Sequence, residues 1–135
     1  MLKREITVAA AVENQEAVTA FVDGCLEELN CSPRSQMQLD IAVDELFSNI
    51  AYYAYPGKTG EVTVRVEAEP ETAVLTFIDA GIPYNPLSKE DPDITLSAQE
   101  RQIGGLGIYM VKKSMDAMAY SYEDGKNILT IKKKL

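Results

Sequence analysis

Residues 61–81 read EVTVRVEAEPETAVLTFIDAG. Val62, Val64, Val66 and Ala68 recur with period two, so they share one face of a strand. Pro70-Glu71 supplies a turn, and TAVLTFIDAG reads as a second strand, so the stretch is expected to fold as a hairpin. One residue in it is out of place. Asp79 falls on the face of Leu75 and Phe77, so an apolar row ends in a carboxylate. Burying such a charge is expensive unless it is paired. Two readings follow. Asp79 caps its own backbone in a turn, or it accepts hydrogen bonds from a ligand's amino group at the floor of an apolar pocket. An adenine amine fits the second reading, and Gly81 would let the chain pass close to a flat ligand.

On the N-terminal side of the hairpin, LKREITVA alternates with Leu2, Ile6 and Val8 on one side and reads as a strand. Residues 14–30 place Val18, Phe21, Val22, Cys25 and Leu29 at helical spacing, weakened slightly by Gly24. A second helix is expected from Ser32, which can cap, and Pro33, which suits the first helical position. Its apolar stripe runs Leu39, Ala42, Val43, Leu46, Ile50, Tyr53 until Pro56-Gly57 stops it. Glu45 and Asn49 lie four apart on this helix, one turn above the other, in a row with Ile41 and Tyr52. They are either a solvent-exposed helical pair or the wall of a pocket. In the second case the glutamate can take a proton from an attacking hydroxyl, and the asparagine oxygen can ligate Mg²⁺. Tyr52, Tyr53 and Tyr55 cluster at the helix end, where core packing with hydroxyls at the rim is the expected role.

On the C-terminal side, IPYNPLSKEDPDITLSAQERQ carries three prolines and no steady period. A loop this long inside a domain is usually functional or mobile. IGGLGIYMVKKSMD, residues 103–116, then places Gly104, Gly105 and Gly107 at the start of a helix with Ile108, Val111 and Met115 on one face. No Gly-Lys-Ser/Thr follows, so this is not a Walker A loop. It is not a Rossmann fingerprint either, because no strand precedes it and Met110 holds the third glycine position. Backbone N–H groups at a helix start still form a ready anion site, with Arg101, Lys112 and Lys113 near in sequence. A glycine turn before a core helix is the competing reading. AYSYEDGKNILTIKK closes the chain as a hairpin around Asp124-Gly125. The order predicts one α+β domain over 1–135, a two-layer sandwich with a mixed, mostly antiparallel sheet and helices on one face.

The bulk numbers narrow the chemistry. The 135 residues are 46% hydrophobic and carry a net charge of −8, against the basic face that nucleic-acid binding needs. The four lysines near the C-terminus read as a solvated strand end. The opening MLKREITVAAAVE is not expected to be a secretory signal, and no apolar run approaches the ~20 residues of a membrane span. Cys25 and Cys31 form no metal pattern and fit a cytoplasmic chain. The chain has no histidine, which excludes Ser-His-Asp catalysis, histidine-ligated zinc and a histidine phosphoacceptor within it.

Taken together, DELFSNIAYYAY, FIDAGIPYNP and IGGLGIYMVKKSMD resemble, in this order and spacing, the three nucleotide-binding motifs of the Bergerat-fold (GHKL) ATPases. Within that superfamily the chain looks like the small stand-alone anti-sigma-factor serine/threonine kinases, over nearly its whole length. The resemblance implies the two-layer Bergerat sandwich, with Glu45 as general base and Asn49 as Mg²⁺ ligand. It implies Asp79 and Gly81 as the adenine-binding pair, and Gly104, Gly105 and Gly107 as the glycine lid motif, in a lid from about residue 84 to 106. Arg101 is the nearest match to the family's lid arginine, though Gln102-Ile103 intervenes; Lys112 could add charge. Tyr53 stands where family members often carry a histidine. The implied activity is phosphorylation of a Ser or Thr on an anti-anti-sigma (STAS-type) partner with ATP and Mg²⁺, and sequestration of a sigma factor by a homodimer. Two alternatives stay open: an ATP-binding partner switch without kinase activity, and the ATPase domain of a histidine-kinase-like protein.

Overall fold

A computed structural model describes residues 2–88 and 105–135 of the chain. Its frame is a five-stranded sheet in the order β1-β2-β3-β5-β4, and every pairing among the described residues is antiparallel. The expected hairpin is its centre. β2 (Glu61–Glu69) and β3 (Thr72–Asp79) join through Pro70-Glu71, and Glu71 takes a left-handed φ of 58° to close the two-residue turn. β1 (Lys3–Ala9) lies outside β2. β4 (Ala117–Glu123) and β5 (Lys126–Lys134) form the closing hairpin, with β5 against β3.

Period-two alternation sorts the sheet into two faces. Val62, Val64, Val66, Ala73, Leu75, Phe77, Leu129 and Ile131 are buried on one of them. They share a core with Val18, Val22 and Leu26 of α1 (Gln15–Glu28), with Leu39, Val43, Leu46 and Phe47 of α2 (Pro33–Tyr53), and with Ile108 and Val111 of α3 (Gly105–Ser114). The other face carries polar rungs, including a Thr7–Thr63 hydroxyl pair at 2.8 Å and an Arg65–Glu5 ion pair at 3.0 Å. Helices on one face are therefore what the hydrophobic pattern demands.

Local chemistry sets the helix ends. Asn30 closes α1 with a left-handed φ of 56°, and the Cys31 N–H reaches back to the Leu26 carbonyl at 3.0 Å. Ser32 then caps α2, its Oγ accepting from the Ser35 N–H at 3.2 Å. Along the α1–α2 seam, Thr19 donates to Asp44 at 3.0 Å and Gln36 to Asp23 at 3.2 Å. Between them Asp40 keeps a buried Oδ1 that has no partner among the described residues. Burial first, then the neighbouring carboxyls of Asp23 and Asp44, push the Asp40 carboxyl up to about 7.

The stripe on α2 departs from expectation at its end. Tyr53 and Tyr52 are 54% and 66% exposed, so neither packs into the core. Of the three tyrosines at this helix end, Tyr55 is the one tied into the fold: its hydroxyl donates to the Glu61 carbonyl at 2.6 Å and accepts the Ala80 N–H at 2.8 Å.

Candidate functional site

The C-terminal half of α2, the exit of β3 and the start of β5 enclose an apolar pocket of about 100 Å³. Leu46, Ile50, Phe77, Ile82 and Leu129 give it apolar walls, and Asn49, Asp79 and Asn127 bring the polar groups. Tyr53 lines it too, at the position where the resembling family often has a histidine.

Asp79 is 6% exposed, at the end of the buried row Ala73-Leu75-Phe77. Its Oδ1 accepts the Gly81 N–H at 2.9 Å and an amide hydrogen of Asn127 at 2.9 Å. Among the described residues no donor reaches Oδ2. The turn-capping reading of Asp79 is met by one of its oxygens, which accepts the Gly81 N–H two residues on. Gly81 is required by its neighbours. A Cβ there would strike the Ala54 carbonyl, with Ala54 Cβ at 2.6 Å, and the next residue's N–H bonds that carbonyl at 2.9 Å. The close approach at Gly81 is to the end of α2.

Glu45 stands one turn before Asn49 on α2 and does not line this pocket. It faces the start of α3 instead: a Cβ on Gly107 would overlap the Glu45 carboxyl. Burial pushes that carboxyl above the usual glutamate range. The Glu45–Asn49 pair is therefore not simply solvated. One member meets the pocket and the other meets the first turn of the glycine-rich helix. Gly105 opens α3, while Lys112 lies in its last turn, more than a full turn from Gly107. Arg101 and Gly104 lie outside the described residues, as does most of the expected lid.

The sequence reading missed Asn127. It is 6% exposed and sits directly across from Asp79 in the β3–β5 register. The signal was present: in KNILTIKKK, Asn127 shares the inward face with Leu129 and Ile131, the same anomaly that singled out Asp79.

An acid at the floor of an apolar pocket, an amide on the adjoining helix and a glycine-rich helix start thus sit on one α+β frame. The family model described as a histidine kinase-like ATPase domain matches residues 8–133, and the chain belongs to that family. It is similar to the serine/threonine-protein kinase BtrW of Bordetella bronchiseptica, at 29% identity over 74% of this chain and 71% of that one. It is also similar to the serine-protein kinase RsbW of Bacillus mycoides, at 24% identity over 96% and 84%. The anti-sigma F factor of Clostridium acetobutylicum matches at 25% identity over 98% and 92%. No helix among the described residues is long and apolar enough to cross a membrane.

Proposed function

We propose that this chain is an ATP-dependent serine/threonine kinase and anti-sigma factor of a cytoplasmic partner-switching module. It would act as a single ATP-binding domain, phosphorylate an anti-anti-sigma protein of the STAS type, hold a sigma factor, and pair with a second copy of itself. The observation that carries the reading is the convergence of three separate motifs. Asn49 and Asp79 line one pocket, and Glu45 beside Asn49 touches the start of the glycine helix.

The residues fit a nucleotide. The oxygen of Asp79 that no donor among the described residues reaches suits an exocyclic amine, and the apolar walls suit a base. The N-terminus of α3 suits phosphate, because its first N–H groups have no helical partner. Mg²⁺ usually takes few protein ligands besides phosphate and water. Asn49 would hold it, and the ion would neutralise phosphate charge. Gly104, Gly105 and Gly107 would hold the phosphates, with Arg101 and Lys112 adding positive charge from the lid and the helix. Phosphoryl transfer asks the protein for positioning and charge more than covalent chemistry. Glu45, desolvated against Gly107, would take the proton from the partner's hydroxyl.

Calorimetric titration with ADP and ATP, with and without Mg²⁺, followed by incubation with labelled ATP and a cognate anti-anti-sigma protein, tests the proposal. Mg²⁺-dependent binding and labelled partner are the expected results. Binding without label would leave a partner switch that does not phosphorylate. No binding would remove the nucleotide reading.

A further inference from the structure

Asn127 uses its whole hydrogen-bonding capacity inside the fold. Its Nδ2 donates to Asp79 Oδ1 at 2.9 Å and to the Ile82 carbonyl at 2.9 Å. Its Oδ1 accepts the Tyr84 N–H at 3.1 Å and the Tyr120 hydroxyl. The orientation of the amide is fixed by these neighbours. The Ile82 carbonyl can only accept, and the Tyr84 N–H can only donate. A reversed amide would lose both.

From this network we propose that Asn127 is the positioning residue that makes the pocket selective for a base carrying an exocyclic amine. The inference rests on the nucleotide reading above and deepens it. With the Gly81 N–H, the amide places two donors on one oxygen of Asp79. The carboxylate is thereby pinned through one oxygen, and its other oxygen would serve as an acceptor for a ligand in the pocket that Asp79 lines. The same amide ties Ile82 and Tyr84, the pocket wall that follows β3, to β5. A site whose polar group is held in one orientation rejects an analogue lacking the matching donor.

The test compares ADP with IDP, in which a carbonyl oxygen replaces the amine, by calorimetric titration of the parent, Asn127→Ala and Asn127→Asp at pH 8. Asn127→Asp nearly preserves shape but cannot donate while ionised, so it serves if the alanine variant does not fold. The parent is expected to prefer ADP by at least ~10-fold, as for sites that bond a specific group. The variants should fall to within ~3-fold, mainly through loss of ADP affinity. The carboxyl introduced by Asn127→Asp would face Asp79 from β3 and the Tyr120 hydroxyl from β4. The neighbouring carboxylate would raise its pKa, so lowering the pH should return a donor and part of the preference. A folded variant that keeps the parental preference overturns the proposal, and so does an equal loss for both nucleotides, the mark of a merely structural staple. A parent that binds neither nucleotide overturns the nucleotide reading and this inference with it. A parent that discriminates while the variants do so equally well removes Asn127 alone.

Discussion

Two groups of acids meet at helix α2, and the fold treats them differently. Beyond its C-terminal end, Asp79 is nearly buried but receives two hydrogen bonds on one oxygen. In its middle, Glu45 and Asp40 are partly buried with carboxyls driven upward by desolvation. A well-partnered buried carboxylate is a fixed acceptor, suited to recognition. A desolvated carboxyl with few partners holds a proton more readily, which suits proton transfer or is simply a cost to stability. Position separates those last two outcomes: Glu45 touches the glycine helix, while Asp40 lies in the α1–α2 seam beside Asp23 and Asp44.

The largest effect that would sharpen this contrast is on Glu45. Glu45→Gln should retain ADP binding within a few-fold and lower phosphoryl transfer by ~10²–10⁴, the usual contribution of a general base. In the parent, transfer should fall as pH drops through the raised Glu45 value, because the base is lost on protonation; the glutamine variant should lack that limb. Rate–pH profiles of single turnovers check both, and unchanged transfer by the variant would assign Glu45 to the passive class with Asp40.

Asp79→Asn tests the other side. It replaces a fixed acceptor with an amide that must turn a donor toward Asn127, Gly81 or the ligand. ADP affinity should fall by roughly 10–100-fold, equivalent to ~1.4–2.8 kcal/mol, and titration calorimetry reads it directly. Equal affinities would make Asp79 a turn cap and nothing more. Gly107→Ala probes the contact between the two regions. Its Cβ meets only the end of a flexible side chain, so the protein should fold with a stability loss of about 1 kcal/mol. Transfer should nevertheless drop ~10-fold or more, since displacing a catalytic group by an ångström is costly. A variant with parental transfer rates would show that the Glu45–Gly107 contact is packing only.

Much of this was legible in the sequence because period sets face. The alternation in β2 and β3 and the spacing in α2 are enough to place Asp79, Glu45 and Asn49 on their faces. The tyrosines were less legible. Tyr52 and Tyr53 lie outside the core although Tyr53 continues an apolar row, because the row runs from the core onto the wall of the pocket, which Tyr53 lines. Tyr55 follows the helix and finds its partners in Glu61 and Ala80, contacts that depend on tertiary approach and leave no periodic trace. Asn127 was readable by the argument applied to Asp79, but its value comes from facing that residue across two strands, and strand order is not written in either strand.

Asp40 supplies the smallest effect and the cleanest break between cost and function. Its ordinary value is 3.8, and in the fold it rises to about 7. Between those values the folded state holds a proton that the unfolded state has released. Stability should therefore decrease as pH rises from about 4 to 7 and level off above. An undiscounted shift of this size would correspond to ~4 kcal/mol. Water still reaches part of the group and the neighbouring carboxyls share the proton, so ~1 kcal/mol is the expected cost. Asp40→Asn removes the ionisable group and keeps a donor for Asp23. It should raise stability by about that amount at pH 8 and change little at pH 4.5, as read by urea unfolding at both values, with nucleotide binding and transfer unaltered. A loss of transfer would move Asp40 into the functional class with Glu45. A pH-independent gain would mean that its carboxyl does not titrate between the two conditions.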